Sequence, residues 1–332
     1  MIKNEVLQSF TKTFLIFSII GISLAIVLLL FDVKKETLFT SIVLIFGLIF
    51  MALITPMSPP DEQAHYEFSF QLSNYILGKD YLEIEKEYQD YSAFAGHENV
   101  SSAYEALATK LNSPLELSGK TNEMENDVHE TTYVLCYAPQ VIGVLIGRIA
   151  KLNMLKTFYL GRLCNLIFYC VCIYIAIKKT PVYKTLFGLI SLTPIFIQQS
   201  ASYSYDTFLN GLLLIVISFF LNWLFEEKTI SNKEIIELLL VLLLVTPCKK
   251  VYSLFVIAFW FIPYSKYGSK KRKIISNLII TLPVFIFVIE LLLPSIKSLL
   301  ENLFLLDNFP ISSLIDVLTL VLSKLDHLNS IK

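Results

Sequence analysis

The chain has 332 residues, with 27 Lys and Arg against 28 Asp and Glu, for a formal net charge of −1. Hydrophobic residues make up 55% of it, with 25 Phe and 17 Tyr, and mean hydropathy is +0.63. The balanced charge excludes nucleic acid as a partner, and repeated apolar runs close to the roughly 20 residues of a bilayer span exclude a soluble domain in favour of an all-α polytopic membrane protein.

In chain order, the first spans are predicted over 14–31 and 38–54. The first starts near Phe14 and lacks a small-residue cleavage site, so it is expected to stay as a helix rather than leave as a signal peptide. A polar segment, 57–131, follows, with fifteen acids against four lysines. It is too long for a connector, and its apolar residues at helical spacing predict juxtamembrane helices. The apolar stretch 134–150 carries Pro139, Gln140 and Arg148 and is expected to be interfacial or half-inserted. Further spans are predicted over 158–177, 183–199, 206–225 and 274–293. Two shorter runs, 235–247 and 251–264, flank "TPCKKVY", and 310–325 is weakly apolar. The count is about eight or nine membrane helices, in three blocks: two N-terminal helices (1–56), a large outer loop (57–157) and a helix bundle (158–332).

Orientation follows from Lys and Arg in short loops. "SKYGSKKRK" and "KKTPVYK" are placed inside, which puts 57–131, "ASYSYD" and "PCKKVY" outside. The cysteines (Cys136, Cys164, Cys170, Cys172, Cys248) fall in or near apolar runs and read as small apolar residues. His97, His129 and His327 lack partners at metal-ligand spacing and read as solvated. Walker, glycine-rich and GxSxG motifs are absent, which argues against nucleotide and serine hydrolases.

The most informative stretch is "SPPDEQAHYEF", at the exit of the second span. Ser58 is expected to cap a helix with Pro59 at its first position. Asp61 and His65, four apart, fall with Ala64, Phe68 and Leu72 on one buried face. Asp61 could simply neutralise the helix N-terminus. An acid and an imidazole facing packed protein at a membrane exit also mark a functional site.

"SLTPIFIQQSASYSYDTF" gathers Gln198, Gln199, Ser202, Tyr203, Tyr205 and Asp206. Amides, hydroxyls and tyrosine rings suit a sugar; the plainer reading is a wet loop with an interfacial tyrosine belt. Lys249 and Lys250 in "TPCKKVY" suit a phosphate, or they snorkel. Arg162 in "YLGRLCN" needs an anion, either an acid of the outer loop or a lipid phosphate. Tyr133, Tyr137 and Gln140 share a helix face and read as packing.

Together these residues resemble the domain-of-unknown-function 2142 family, bacterial membrane proteins related to lipid-linked-sugar glycosyltransferases of the GT-C fold. The likeness rests on "PPDEQAH" after a membrane helix, then "YAPQVIG", "GRLCN", "TPIFIQQSASYSYD" and "CKKVYSLF" in that order, across residues 40–290. It implies a GT-C-like helix bundle in a bacterial cytoplasmic membrane, with the active site on the outer face. The first outer loop would carry the essential acid, Asp61, with Glu62 beside it. Asp206 would be the second acid, and Lys249, Lys250 and Tyr252 the basic–tyrosine motif. The chain departs from the pattern in an additional N-terminal span and an earlier stop.

The resemblance implies sugar transfer, with inversion, from polyprenyl phosphate to a cell-surface glycan, lipid or protein. Asp61 would act as base, with Glu62 or His65 orienting it. Asp206, Tyr203, Gln199, Arg162, Lys249, Lys250 and Tyr252 would bind substrate. Some relatives of the fold use a divalent metal (Mg or Mn); the residue spacing here does not demand one. Two rival classes fit the same features: a polysaccharide or lipid transporter or flippase, and a non-catalytic partner in an envelope assembly complex.

Overall fold

The structure, a computed structural model, describes residues 12, 15–16, 18–24, 26–28, 30–31, 33–80, 83–85, 117–120 and 134–303. The described chain is predominantly helical and divides into two compact units: residues 1–126 with 135–226, and 127–134 with 227–332. Three helices are long and apolar enough to cross a membrane: Lys35–Leu53 (α1), Met154–Lys179 (α4) and Asp206–Phe225 (α7). The expected first span falls partly, and 310–325 wholly, outside the described residues.

In the first unit, α1 ends at Leu53, and Ile54 takes an extended conformation, as suits a chain about to enter "TP". After a tight turn, Glu62–Leu77 forms α2, which Gly78 closes in the left-handed conformation with φ 63°. Strands β1 (Glu83–Glu85) and β2 (Leu117–Lys120) pair antiparallel with a register irregularity at Ile84/Glu85. The expected surface helices of the outer loop are therefore joined by a two-stranded pair; residues 86–116 and 121–133 lie outside the described set. A 3-10 turn, Val134–Tyr137, leads into α3 (Ala138–Ile149). Asn153 then caps α4 by accepting from the Lys156 amide at 3.1 Å.

Helix α4 is the centre of this unit. Its 26 residues make about 39 Å at 1.5 Å per residue, longer than the roughly 30 Å hydrocarbon core. The excess lies at its start. Arg162 of α4 reaches the Ile54 carbonyl at the end of α1, and Asn165 reaches Thr207 in the first turn of α7. The turns of α4 before Arg162 run past the end of α1 and pack against the α2–α3 layer. A buried cluster there holds Met57, Tyr66, Phe70, Ile84, Val144, Met154, Leu155, Phe158 and Tyr203. Close approach of α3 to α4 requires Gly143: a Cβ there would sit 2.4 Å from the Leu160 carbonyl oxygen.

The run 183–199 is not one continuous helix. It is two short helices, α5 (Lys184–Ser191) and α6 (Pro194–Ser200). Pro194 lacks the N–H needed to continue the α5 ladder, and Thr193 before it is extended.

In the second unit, α8 (Asn232–Cys248) opens with a reciprocal capping box between Ser231 and Glu234 and ends just after Pro247. The run 251–264 is a 3-10 turn, Lys250–Phe255, followed by the four-residue helix α9 (Val256–Phe259), too short to span. Helix α10 (Lys270–Leu303) contains the predicted 274–293 span. The basic loop before it is anchored by Arg272, which donates to the carbonyls of Tyr267 and Ile230 and to Asn232.

Candidate functional site

The turn between α1 and α2 carries the "PPDEQAH" motif. Two of its non-glycine residues, Met57 (φ 62°) and Asp61 (φ 59°), adopt left-handed conformations. Such strain costs on the order of 1–3 kcal/mol per residue and persists only where the surroundings enforce it. The enforcing group is Glu62, whose side chain is fully buried. Its Oε2 accepts from the Met57 amide at 2.8 Å and its Oε1 from the Tyr203 amide at 2.9 Å. Arg162 grips both oxygens, with Nε to Oε1 at 2.8 Å and Nη2 to Oε2 at 2.6 Å.

The remaining guanidinium donors of Arg162 reach the carbonyls of Ile54 at 2.6 Å, Thr55 at 3.1 Å and Met51 at 3.5 Å. All five N–H groups of the fork are thereby engaged. This geometry bears on three expectations. Glu62, expected to orient Asp61, is held in the interior with both its oxygens saturated. Arg162 is not available to a phosphate: of its two expected anions, the acid of the outer loop is the one it meets. Tyr203 is buried, with its hydroxyl donating to the Phe158 carbonyl at 3.1 Å, and it presents no surface to a substrate.

The cap is also not the expected one. The Ser58 hydroxyl donates back to the Thr55 carbonyl at 2.8 Å, so α2 starts four residues later, at Glu62. Asp61 occupies the cap position without making a capping hydrogen bond, and its side chain is exposed. Asp61 and His65 therefore do not share a buried face; only His65 turns inward.

The second motif-bearing loop, 199–206, is clamped from two sides. Asn165, one turn beyond Arg162 on α4, donates to the Ser202 carbonyl at 2.8 Å and to Thr207 Oγ1 at 3.1 Å. Gln140 of α3 donates to the Ser204 carbonyl at 3.1 Å. Gln199 accepts from Asn210 at 3.0 Å and makes a long contact of 3.4 Å to Asp206. Gly161 leaves room for the Tyr203 ring here, since a Cβ would collide with the Tyr203 hydroxyl unless that side chain shifted. The "YAPQ", "GRLCN" and "SASYSYD" segments thus meet at the "PPDEQAH" turn.

At the mouth of this assembly lie Asp61, exposed, and Tyr205 and Asp206, half-buried. Behind them, His65 Nδ1 hydrogen-bonds the Tyr137 hydroxyl at 2.8 Å. The His65 ring stands edge-on to Tyr205, with centroids 5.3 Å apart, and Tyr137 lies 5.9 Å from Tyr205. Burial first, then the neighbouring Tyr205 phenol and the carboxylates of Asp206 and Asp61, push the Tyr137 phenol well above its ordinary value. Both acids therefore bear electrostatically on one phenol. The Tyr137 hydroxyl can donate to Nδ1 or accept from it, according to the imidazole tautomer.

Tyr137 and Tyr205 are the residues that sequence reasoning undervalued. Tyr137 sat on a helix face with Gln140 that suggested only packing, and Tyr205 was one hydroxyl among several. Lys249, Lys250 and Tyr252 belong to the second unit, Lys249 following the end of α8 in an extended conformation. Among the described residues, no group of three or more His, Cys, Asp or Glu side chains gathers to hold a metal.

Three apolar helices of membrane-spanning length, with a polar cluster where they end, define an all-α integral membrane protein. The family model described as Predicted membrane protein (DUF2142) matches residues 44–302, and the chain belongs to that family. No curated protein and no solved structure matches the chain.

Proposed function

We propose that this protein is a glycosyltransferase of the bacterial cytoplasmic membrane. It would move a sugar from polyprenyl phosphate to a hydroxyl of a surface glycan, lipid or protein on the outer face. The observation that carries this reading is that the two segments bearing Asp61 and Asp206, the acids singled out by the family resemblance, are tied to one buried carboxylate, Glu62. The GT-C arrangement belongs to the same proposal.

In this mechanism Asp61 removes the proton from the acceptor hydroxyl as the new C–O bond forms at the anomeric carbon. The bond to the phosphate oxygen breaks on the opposite face, so the configuration inverts. Polyprenyl phosphate departs with the electron pair and needs no general acid. Asp206 stabilises positive charge on the sugar ring in the oxocarbenium-like transition state. Tyr205 offers a ring for the sugar's apolar face, and the Tyr137–His65 pair fixes that ring's backing. Arg162 cannot offset the phosphate charge, because its donors are engaged within the protein.

The test is Asp61→Asn in the native host. Membrane abundance is read by blot and envelope glycans by mass spectrometry. Loss of a sugar at normal abundance supports the proposal. An unchanged glycan profile rejects it and favours a transporter or an assembly partner.

A further inference from the structure

We infer that the Glu62–Arg162 pair is a positioning device that couples the two acids, holding Asp61 and Asp206 at one fixed spacing across the mouth. The inference rests on the proposed function only in taking those two acids as the working groups. Four observations lead to it. Glu62 follows Asp61 directly, so its side chain anchors the residue that presents Asp61. Its Oε2 fixes the Met57 amide, at the left-handed residue that opens the same turn. Its Oε1 fixes the Tyr203 amide, three residues before Asp206. Arg162 locks both oxygens while holding the carbonyls of Ile54 and Thr55.

A single carboxylate is thus the shared acceptor for the two segments that carry the acids. Neither Glu62 nor Arg162 is open to substrate, so both act through their neighbours. The loop at 202–206 has further support from Asn165 and Gln140. Loss of the pair should therefore loosen it without melting it.

Hydrogen–deuterium exchange of the full-length protein in detergent reads the two segments separately. Arg162→Lys retains the charge, but one ammonium cannot cover a carboxylate and several carbonyls at once. The expected result is about tenfold faster exchange in peptides spanning 55–62 and 202–206 together, with α8 and α10 unchanged. If 55–62 loosens while 202–206 keeps wild-type protection, the two acids are not coupled through this pair and the inference fails. Wild-type protection in both segments also overturns it. Should Arg162→Lys not accumulate, Glu62→Gln is read in the same way, since it keeps one acceptor oxygen.

A second readout separates positioning from general loosening. A single 3-fluorotyrosine at position 137 reports the local field by fluorine resonance. Asp61→Asn and Asp206→Asn should each shift that resonance in the otherwise native protein. In Arg162→Lys the line should move or split, and the further shift from Asp61→Asn should shrink. An unmoved single line, with an undiminished response to Asp61→Asn, would mean that Arg162 serves stability alone.

The two proposals fail separately. Normal envelope glycans in Asp61→Asn, with coupled exchange in Arg162→Lys, would remove glycosyl transfer and leave the positioning device. Lost glycan with uncoupled exchange would do the reverse.

Discussion

The interior around Glu62 and the mouth around Asp61 are one residue apart in the chain and opposite in physics. Glu62 is fully buried, with both oxygens saturated by a guanidinium and two backbone amides. Asp61 is exposed and makes no capping hydrogen bond. A saturated buried charge is expensive to remove and chemically inert. An exposed charge is cheap to remove and able to meet a ligand. The contrast teaches that adjacency in a motif does not divide labour; the partners of each oxygen do.

The contrast breaks if Glu62 and Arg162 prove dispensable. Arg162→Ala strands a buried carboxylate and three carbonyls, and removing one partner of such a pair costs about 3–5 kcal/mol. Thermal unfolding in detergent should show it directly, and membrane abundance should fall. Gly161→Ala comes next. Its Cβ would collide with the Tyr203 hydroxyl, and overpacking of this kind costs about 1–3 kcal/mol. Here the loss should be read in the loop that carries Asp206, as raised proteolytic sensitivity at 199–206.

Tyr137→Phe is expected to be milder. It removes the hydroxyl partner of His65 Nδ1, a loss of about 1 kcal/mol for one buried hydrogen bond. Asp61→Asn should change stability by less than about 0.5 kcal/mol, because its side chain is exposed and makes no capping hydrogen bond. If unfolding shows Asp61→Asn to be as damaging as Arg162→Ala, the division between interior and mouth is wrong.

Much of this was legible in the sequence, for reasons that residues make plain. The α7 span reads directly, because its apolar run starts at an acid and stops at "EEK". The family motifs pointed to Asp61, His65 and Asp206, and these three lie at or behind the mouth. The roles of Glu62 and Arg162 were not legible, because a pair 100 residues apart leaves no periodic trace. Sequence spacing also cannot separate Asp61 from His65 when a left-handed residue resets the helix start. The broken 183–199 segment was legible in principle. Pro194 announces it, but average hydropathy outweighed one missing donor. Tyr137 was hidden because a buried phenol beside Gln140 has the same pattern as core packing.

Glu234 sharpens the comparison as a third kind of carboxylate, half-buried, partnered and in the other unit. Burial alone would raise its value. Hydrogen bonds from the Ser231 amide and hydroxyl, with the charge of Lys228 at 3.3 Å, outweigh burial and hold it below the ordinary carboxylate value. A group depressed on folding contributes stability that is fully present above its unfolded value, about 4.3 for glutamate. That contribution is lost as pH falls through the folded value. Glu234→Gln should therefore unfold more easily than the native protein at pH 7, and the gap should close progressively below the ordinary carboxylate value. Melting curves of the two proteins across that range would show it. A gap that stays constant with pH would mean that the capping bonds act through geometry rather than charge. Glu234 would then resemble a neutral cap and differ in kind from Glu62, whose partner is a full guanidinium.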